Sequence, residues 1–160
     1  MREYEYMRDK AVSYAERWAH GRNPAYYNFD GLGGDCTNFL SQCLFSGAGV
    51  MNYTQTFGWY YNNLQSRSPS WTGVEYFYNF LVGNGNVGPF GREVDAEYVK
   101  PGDFVQLGNS AERFYHSLII TQIRGGILLG AAHTYDVLNV PVYQYNAVFY
   151  RYIHIEGYRE

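Results

Sequence analysis

Apolar side chains recur at three- and four-residue intervals along the start of the chain. Tyr4, Met7, Ala11, Tyr14, Ala15 and Trp18 would share one face of a helix, and Gly21 followed by Asn23-Pro24 ends it. A loop rich in Tyr, Asn and Gly follows, from Asn23 to Gly34. The next periodic segment predicts a helix over 35–46, with Gly47 as its left-handed stop. Residues 48–70 carry no regular pattern, and Trp59-Tyr60-Tyr61 is their expected anchor. Thr72-Gly73-Val74-Glu75 has capping-box spacing, and Val74, Phe77, Phe80 and Leu81 form the stripe of a third helix. A glycine-rich loop is expected over 83–91.

The second half changes period. Lys100-Pro101-Gly102-Asp103 is a turn, and Phe104-Val105-Gln106-Leu107 reads as a strand. Further strands are expected over 114–123, 127–134 and 148–155, with Arg124-Gly125-Gly126 turning a hairpin between the first two of these. Helices first and strands afterwards predict an α+β fold, with N-terminal helices packed on a C-terminal antiparallel sheet.

Composition narrows the function classes. A chain of 160 residues suits a single domain over 1–160 with one core. The net charge of -3 implies no broad basic surface, so no nucleic acid is expected as a partner. No apolar run approaches the ~20 residues of a membrane helix, so no transmembrane segment is expected. The polar start Met1-Arg2-Glu3-Tyr4-Glu5 is not a signal peptide, which leaves a cytoplasmic protein or the mature part of a longer exported chain. The 18 tyrosines suit either a surface for sugars or extended peptides or a large aromatic core.

The candidate chemistry begins at Gly33-Gly34-Asp35-Cys36-Thr37-Asn38-Phe39-Leu40. A thiol on the first turn of a helix lies at the positive end of the helix dipole, which favours the thiolate. Cys43 falls two turns later on the apolar side, beside Phe39, Leu40 and Leu44, and reads as a small buried residue. Seven residues of helix rise about 10 Å, beyond the roughly 7 Å a disulfide spans, so the two cysteines should not pair. Asp35 reads as the helix cap. Asn38 and Gln42 share a face that either bonds neighbouring loops or is solvated.

A nucleophilic cysteine needs a base, and the base needs a partner. His116 lies among Phe114, Leu118 and Ile120 of the second strand. With a two-residue turn, the paired residue numbers across the hairpin sum to an odd value. If the turn is Arg124-Gly125, His116 faces His133. If it is Gly125-Gly126, His116 faces Tyr135, with His133 diagonal to it. In both registers His116 and His133 share a sheet face. A three-residue loop would bring Thr134 or Asp136 over instead. His133 is therefore the expected orienting residue and Asp136 the reserve. The Cys36 N–H is one candidate oxyanion donor, and Tyr26, Tyr27 or Asp30 a second.

The run Gly-Asp-Cys-Thr-Asn-Phe-Leu-Ser-Gln-Cys-Leu at 34–44 resembles the putative amidase domain of bacterial cell-wall-associated proteins. Ser68-Pro69-Ser70-Trp71-Thr72-Gly73-Val74, His116-Ser117-Leu118-Ile119, His133-Thr134-Tyr135-Asp136 and Asn139-Val140-Pro141 fit the same family in matching order. That family is similar in plan to papain-like cell-wall peptidases and amidases, including the NlpC-type and CHAP groups. The resemblance implies a papain-like fold with Cys36 as nucleophile, His116 as base and a third residue on the next strand, where His133 stands. It departs from papain in having no Gln just upstream of Cys36.

The leading expectation is a cysteine amidase or peptidase that hydrolyses an amide of bacterial peptidoglycan. It needs no metal or other cofactor and is expected to act as a monomer. The family implies an extracellular or wall-associated setting. Tyr27, Asp35, Trp59 and Tyr60 are the candidate substrate-binding residues, with Trp71 assigned to core packing. The alternative is a non-catalytic binding module for wall polymer, motivated by the tyrosines. A metal site on Cys36, His116 and His133 is a third possibility, for which a helix-start cysteine and a strand histidine already have a metal-free explanation.

Overall fold

The structure is a computed structural model that describes residues 1–160. It is α+β, with the helices in the N-terminal half and most of the strands after them. Strand β1 (Glu3–Tyr4) precedes α1 (Arg8–Trp18) and α2 (Cys36–Ala48). A small ribbon of β2 (Tyr61–Asn63) and β3 (Ser66–Arg67) leads into α3 (Pro69–Thr72) and α4 (Val74–Gly83). The rest is β4 (Gly88–Val94), β5 (Phe104–Ser110), β6 (Arg113–Arg124), β7 (Ile127–Ala132), β8 (Val137–Pro141) and β9 (Phe149–Arg159). The large sheet runs β1-β9-β5-β6-β7-β8, with β4 also paired to β9. No helix is long and apolar enough to cross a membrane.

Each face of the sheet has its own core. Phe104, Ile119, Ala131, Ile153 and Ile155 meet Ala11, Ala15, Phe39, Leu40 and Leu44 of the helices. Val105, Leu107, Leu118, Ile120 and Ala132 point the other way, onto Val99 and Val142. Alternation along β6 thus sends odd residues to the helices and even residues to the opposite core. Ser117 to Thr121 are buried without interruption, as expected of a strand covered on both sides. Helix α2 is equally enclosed, being buried from Thr37 to Leu44.

Several expected boundaries shift. The start of the chain is not helical, because Glu3 and Tyr4 pair with Arg159 and Tyr158 of β9. Helix α2 runs past Gly47 and ends at Gly49, which adopts φ 71°. Gly47 has another purpose. A Cβ there would strike the Tyr6 ring and come within 2.9 Å of the Met7 carbonyl, so its bare backbone lets the entry to α1 cross α2. Gly47→Ala should lower stability by about 1–3 kcal/mol, the usual penalty of overpacking, and thermal unfolding would show a Tm several degrees lower.

The expected third helix is α4, which starts at Val74 with Gly73 at its N-cap, and Thr72 ends the short α3 rather than capping it. The glycine-rich segment 83–91 contributes β4, and Gly91 permits close passage over His154 of β9. The turn motif before β5 holds a buried carboxylate. Asp103 accepts from Arg8 of α1 at 2.7 Å and from the Ile155 N–H of β9 at 2.9 Å, tying helix to sheet.

Candidate active site

Cys36 opens α2, and it alone among residues 35–44 is not buried. Its N–H is one of the unpaired donors at the helix start. The backbone N–H groups of Thr37 and Ser117 face Sγ, and the Thr37 hydroxyl lies 3.8 Å from it. Strand β7 pairs with β6 from Ile119 onward, which leaves the Ser117 N–H beyond that ladder. The nucleophile candidate therefore meets β6 at the peptide linking His116 to Ser117.

His116 pairs across from Leu107, on the face away from the helices, and its ring lies 5.6 Å from that of Tyr145. No hydrogen bond joins it to Cys36. Burial pushes the imidazole down to about 4. Burial also pushes the Cys36 thiol up, and the Asp35 charge adds to this, while Thr37 and the Ser117 N–H pull against it. The direction is opposite to the thiolate expected at a helix start, and burial is its largest cause. Burial thus favours the neutral form of both groups.

His133 does not orient His116. The turn is Gly125-Gly126, with φ of 57° and 80°, and Arg124 opposes Ile127 as the second register requires. A bulge at Thr121 then adds one residue to β6, so that Ile120 opposes Gly130. Every side chain beyond the bulge changes its partner's face. His133 thereby falls on the helix side, stacked at 4.0 Å on Phe39. Its Nδ1 lies 2.5 Å from Asp35 Oδ2, and its Nε2 donates to the Trp18 carbonyl at 2.8 Å. With both nitrogens occupied it has nothing to offer His116. Nor do Cys36, His116 and His133 converge as metal ligands.

Asp35 is also not a side-chain cap. Its carboxylate is fully buried and gathers the walls of the site. Oδ1 accepts from the Phe29 N–H at 2.8 Å and from Asn38 Nδ2 at 2.9 Å, while Oδ2 faces His133 and lies 3.5 Å from Arg22 Nε. Arg22 in turn holds Asp136 through two bonds, at 2.9 and 3.0 Å, and Asp30 at 3.0 Å. Asp136 and Asp30 are thus committed to an arginine that the sequence reading did not single out. This network fixes the 133–136 turn beside Gly34, where Thr134 and Tyr135 take left-handed backbone conformations and Tyr135 stands 91% exposed.

The remaining candidates separate. Tyr27 is exposed at the mouth of α2, its carbonyl accepting from Asn38 and its ring edge-on to Phe29. Tyr26 packs its ring between Tyr61 and Trp71. Trp59 lines no groove. It is fully buried, tilted against Trp71 and stacked on Phe80, with Nε1 donating to Ser41 Oγ at 3.0 Å. Tyr60 sits on the same segment against Tyr53, and none of its contacts leads to Cys36. Trp71 is core, and its Nε1 donates to Asn38. Asn38 and Gln42 are buried and bonded, Gln42 to Tyr14. Cys43 is a buried free thiol.

The chain is 36% identical over 140 residues to the uncharacterized protein YhbB of Bacillus subtilis (strain 168). That alignment covers 84% of this chain and 43% of the relative, so the chain spans less than half of that protein's length. No solved structure matches it. A model of the putative amidase domain matches residues 5–154, taking in the helices, the Cys36 turn and nearly all of the sheet, and the chain belongs to that family.

Proposed function

We propose that the chain hydrolyses an amide bond of bacterial peptidoglycan, with Cys36 as nucleophile and His116 as base. The observation that carries this reading is the meeting of Cys36 Sγ with the His116–Ser117 peptide at the start of α2. The family supports the reaction class, and the exposed Tyr27 and Tyr135 near the mouth of the site supply flat faces for sugar or peptide.

The reaction runs from the neutral pair. The imidazole takes the thiol proton as Sγ attacks the carbonyl carbon. The oxyanion that forms accepts from the Cys36 N–H at the helix start. Collapse breaks the C–N bond, and the amine leaves with the proton held by His116. Water then attacks the thioester as His116 takes one of its protons; collapse breaks the C–S bond, releases the acid, and His116 returns that proton to the thiolate.

A direct test is digestion of purified peptidoglycan, following new amino groups and product masses across pH. Because His116 must be neutral to accept a proton, activity is lost as pH falls through its pKa. The acid limb should therefore lie near 4, well below an ordinary histidine limb near 6.5. Absence of amide cleavage, with wall binding intact, would instead favour a binding module.

A further inference from the structure

Ser117 carries the protein's single buried side-chain polar atom without a hydrogen-bond partner. Its Oγ is fully enclosed and bonded to nothing. Such a hydroxyl ordinarily costs about 1–3 kcal/mol relative to a satisfied one, so its position calls for a reason.

Its surroundings supply one. Ser117 opposes Gln106, which opposes Arg151, so the three form a row across β6, β5 and β9 on the helix side. The neighbours are already committed. Gln106 Oε1 accepts from Arg151 and its Nε2 donates to the Val74 carbonyl. On the other flank β7 ends at Ala132, and both nitrogens of the His133 that follows are taken. The contact that Ser117 does make through its main chain is with Cys36, whose Sγ sits on the Ser117 N–H. Two of the three staggered χ1 wells of a serine place Oγ gauche to its own amide nitrogen, so the hydroxyl can swing by a rotamer change without moving the strand.

We propose that the Ser117 hydroxyl is a donor reserved for the Cys36 thiolate, turning to the sulfur when it becomes charged. A neutral thiol is a weak acceptor, which leaves Oγ idle at rest. The thiolate is a strong one, and a hydrogen bond to a charged group is worth roughly twice a neutral one. Ser117 N–H, Thr37 N–H, Thr37 Oγ–H and Ser117 Oγ–H together then surround the sulfur, so that the charge is stabilised as it forms.

This inference rests on the reading of Cys36 as nucleophile, but its test does not require hydrolysis. The rate of Cys36 alkylation by limiting iodoacetamide, followed by mass spectrometry across pH, reports the thiolate directly. Ser117→Ala should move the midpoint up by about one pH unit, a roughly tenfold loss of rate at fixed pH below it. Ser117→Thr, which keeps the hydroxyl, should restore the wild-type profile. Thermal unfolding separates a structural role: removing an orphaned hydroxyl should leave Tm unchanged or raise it. An Ala profile that overlays the wild type would overturn the proposal, as would a Thr profile that follows Ala. Should peptidoglycan prove not to be cleaved, the proposed function fails while this shift is still measured.

Discussion

Cys36→Ala should abolish amide hydrolysis while leaving the fold intact. Removing an attacking nucleophile in a covalent mechanism lowers kcat by at least about a thousandfold, and any residual rate reflects substrate binding and oxyanion donors alone. The packing change is small, because Cys36 reaches solvent and its only side-chain partner is the Thr37 hydroxyl at 3.8 Å. Far-UV circular dichroism and Tm should match wild type. Cys43→Ala is the control. That thiol is buried among apolar residues and its pKa is raised well above the ordinary value, so its loss should affect stability and not turnover.

The second large effect belongs to Asp35. Asp35→Ala should destabilise the protein by about 3–5 kcal/mol, the usual result of removing one member of a buried charged network. The Phe29 N–H loses its partner, and Asn38, His133 and Arg22 each lose one of theirs. For a chain of this size that is a fall in Tm of roughly 10 °C. Activity should fall further than stability explains, since the same carboxylate fixes the loop before Cys36 and the 133–136 turn beside it. Asp35→Asn keeps an acceptor for the Phe29 N–H and should fall between. Denaturant unfolding with activity measured on the folded fraction separates the two losses.

Much of this fold was legible because the strong signals were local. The cysteine helix and the strands through Phe104, Leu118 and Ile153 carry unbroken apolar patterns, and the order of helices before strands is what packs them as two layers. Strands β4 and β8 were hidden by Gly88-Pro89, Gly91 and Pro141, residues that read as loop unless a partner strand pairs with them. The turn is Gly125-Gly126, one of the two registers considered for a two-residue turn, and the expected pairing then slips by one residue. The bulge at Thr121 is held by its own hydroxyl, which bonds the Leu129 carbonyl at 3.2 Å and Asn139 at 2.6 Å, and no local pattern marks it. That single insertion moved His133 from His116 to Asp35. The pairing of His133 with Asp35 joins residues 98 apart, so Asp35 read as a cap until the sheet brought its true partner. Ser117 was visible only as the residue after His116, and its importance appears once every other buried polar atom has been given a partner.

The most direct test of the account is the covalent intermediate. Turnover of a peptidoglycan-derived peptide quenched in acid and analysed by mass spectrometry should leave an acyl group on the peptide containing Cys36, absent after hydroxylamine treatment and absent in Cys36→Ala. Hydrolysis that proceeds at the wild-type rate in Cys36→Ala, with no acyl adduct on that peptide, would contradict it.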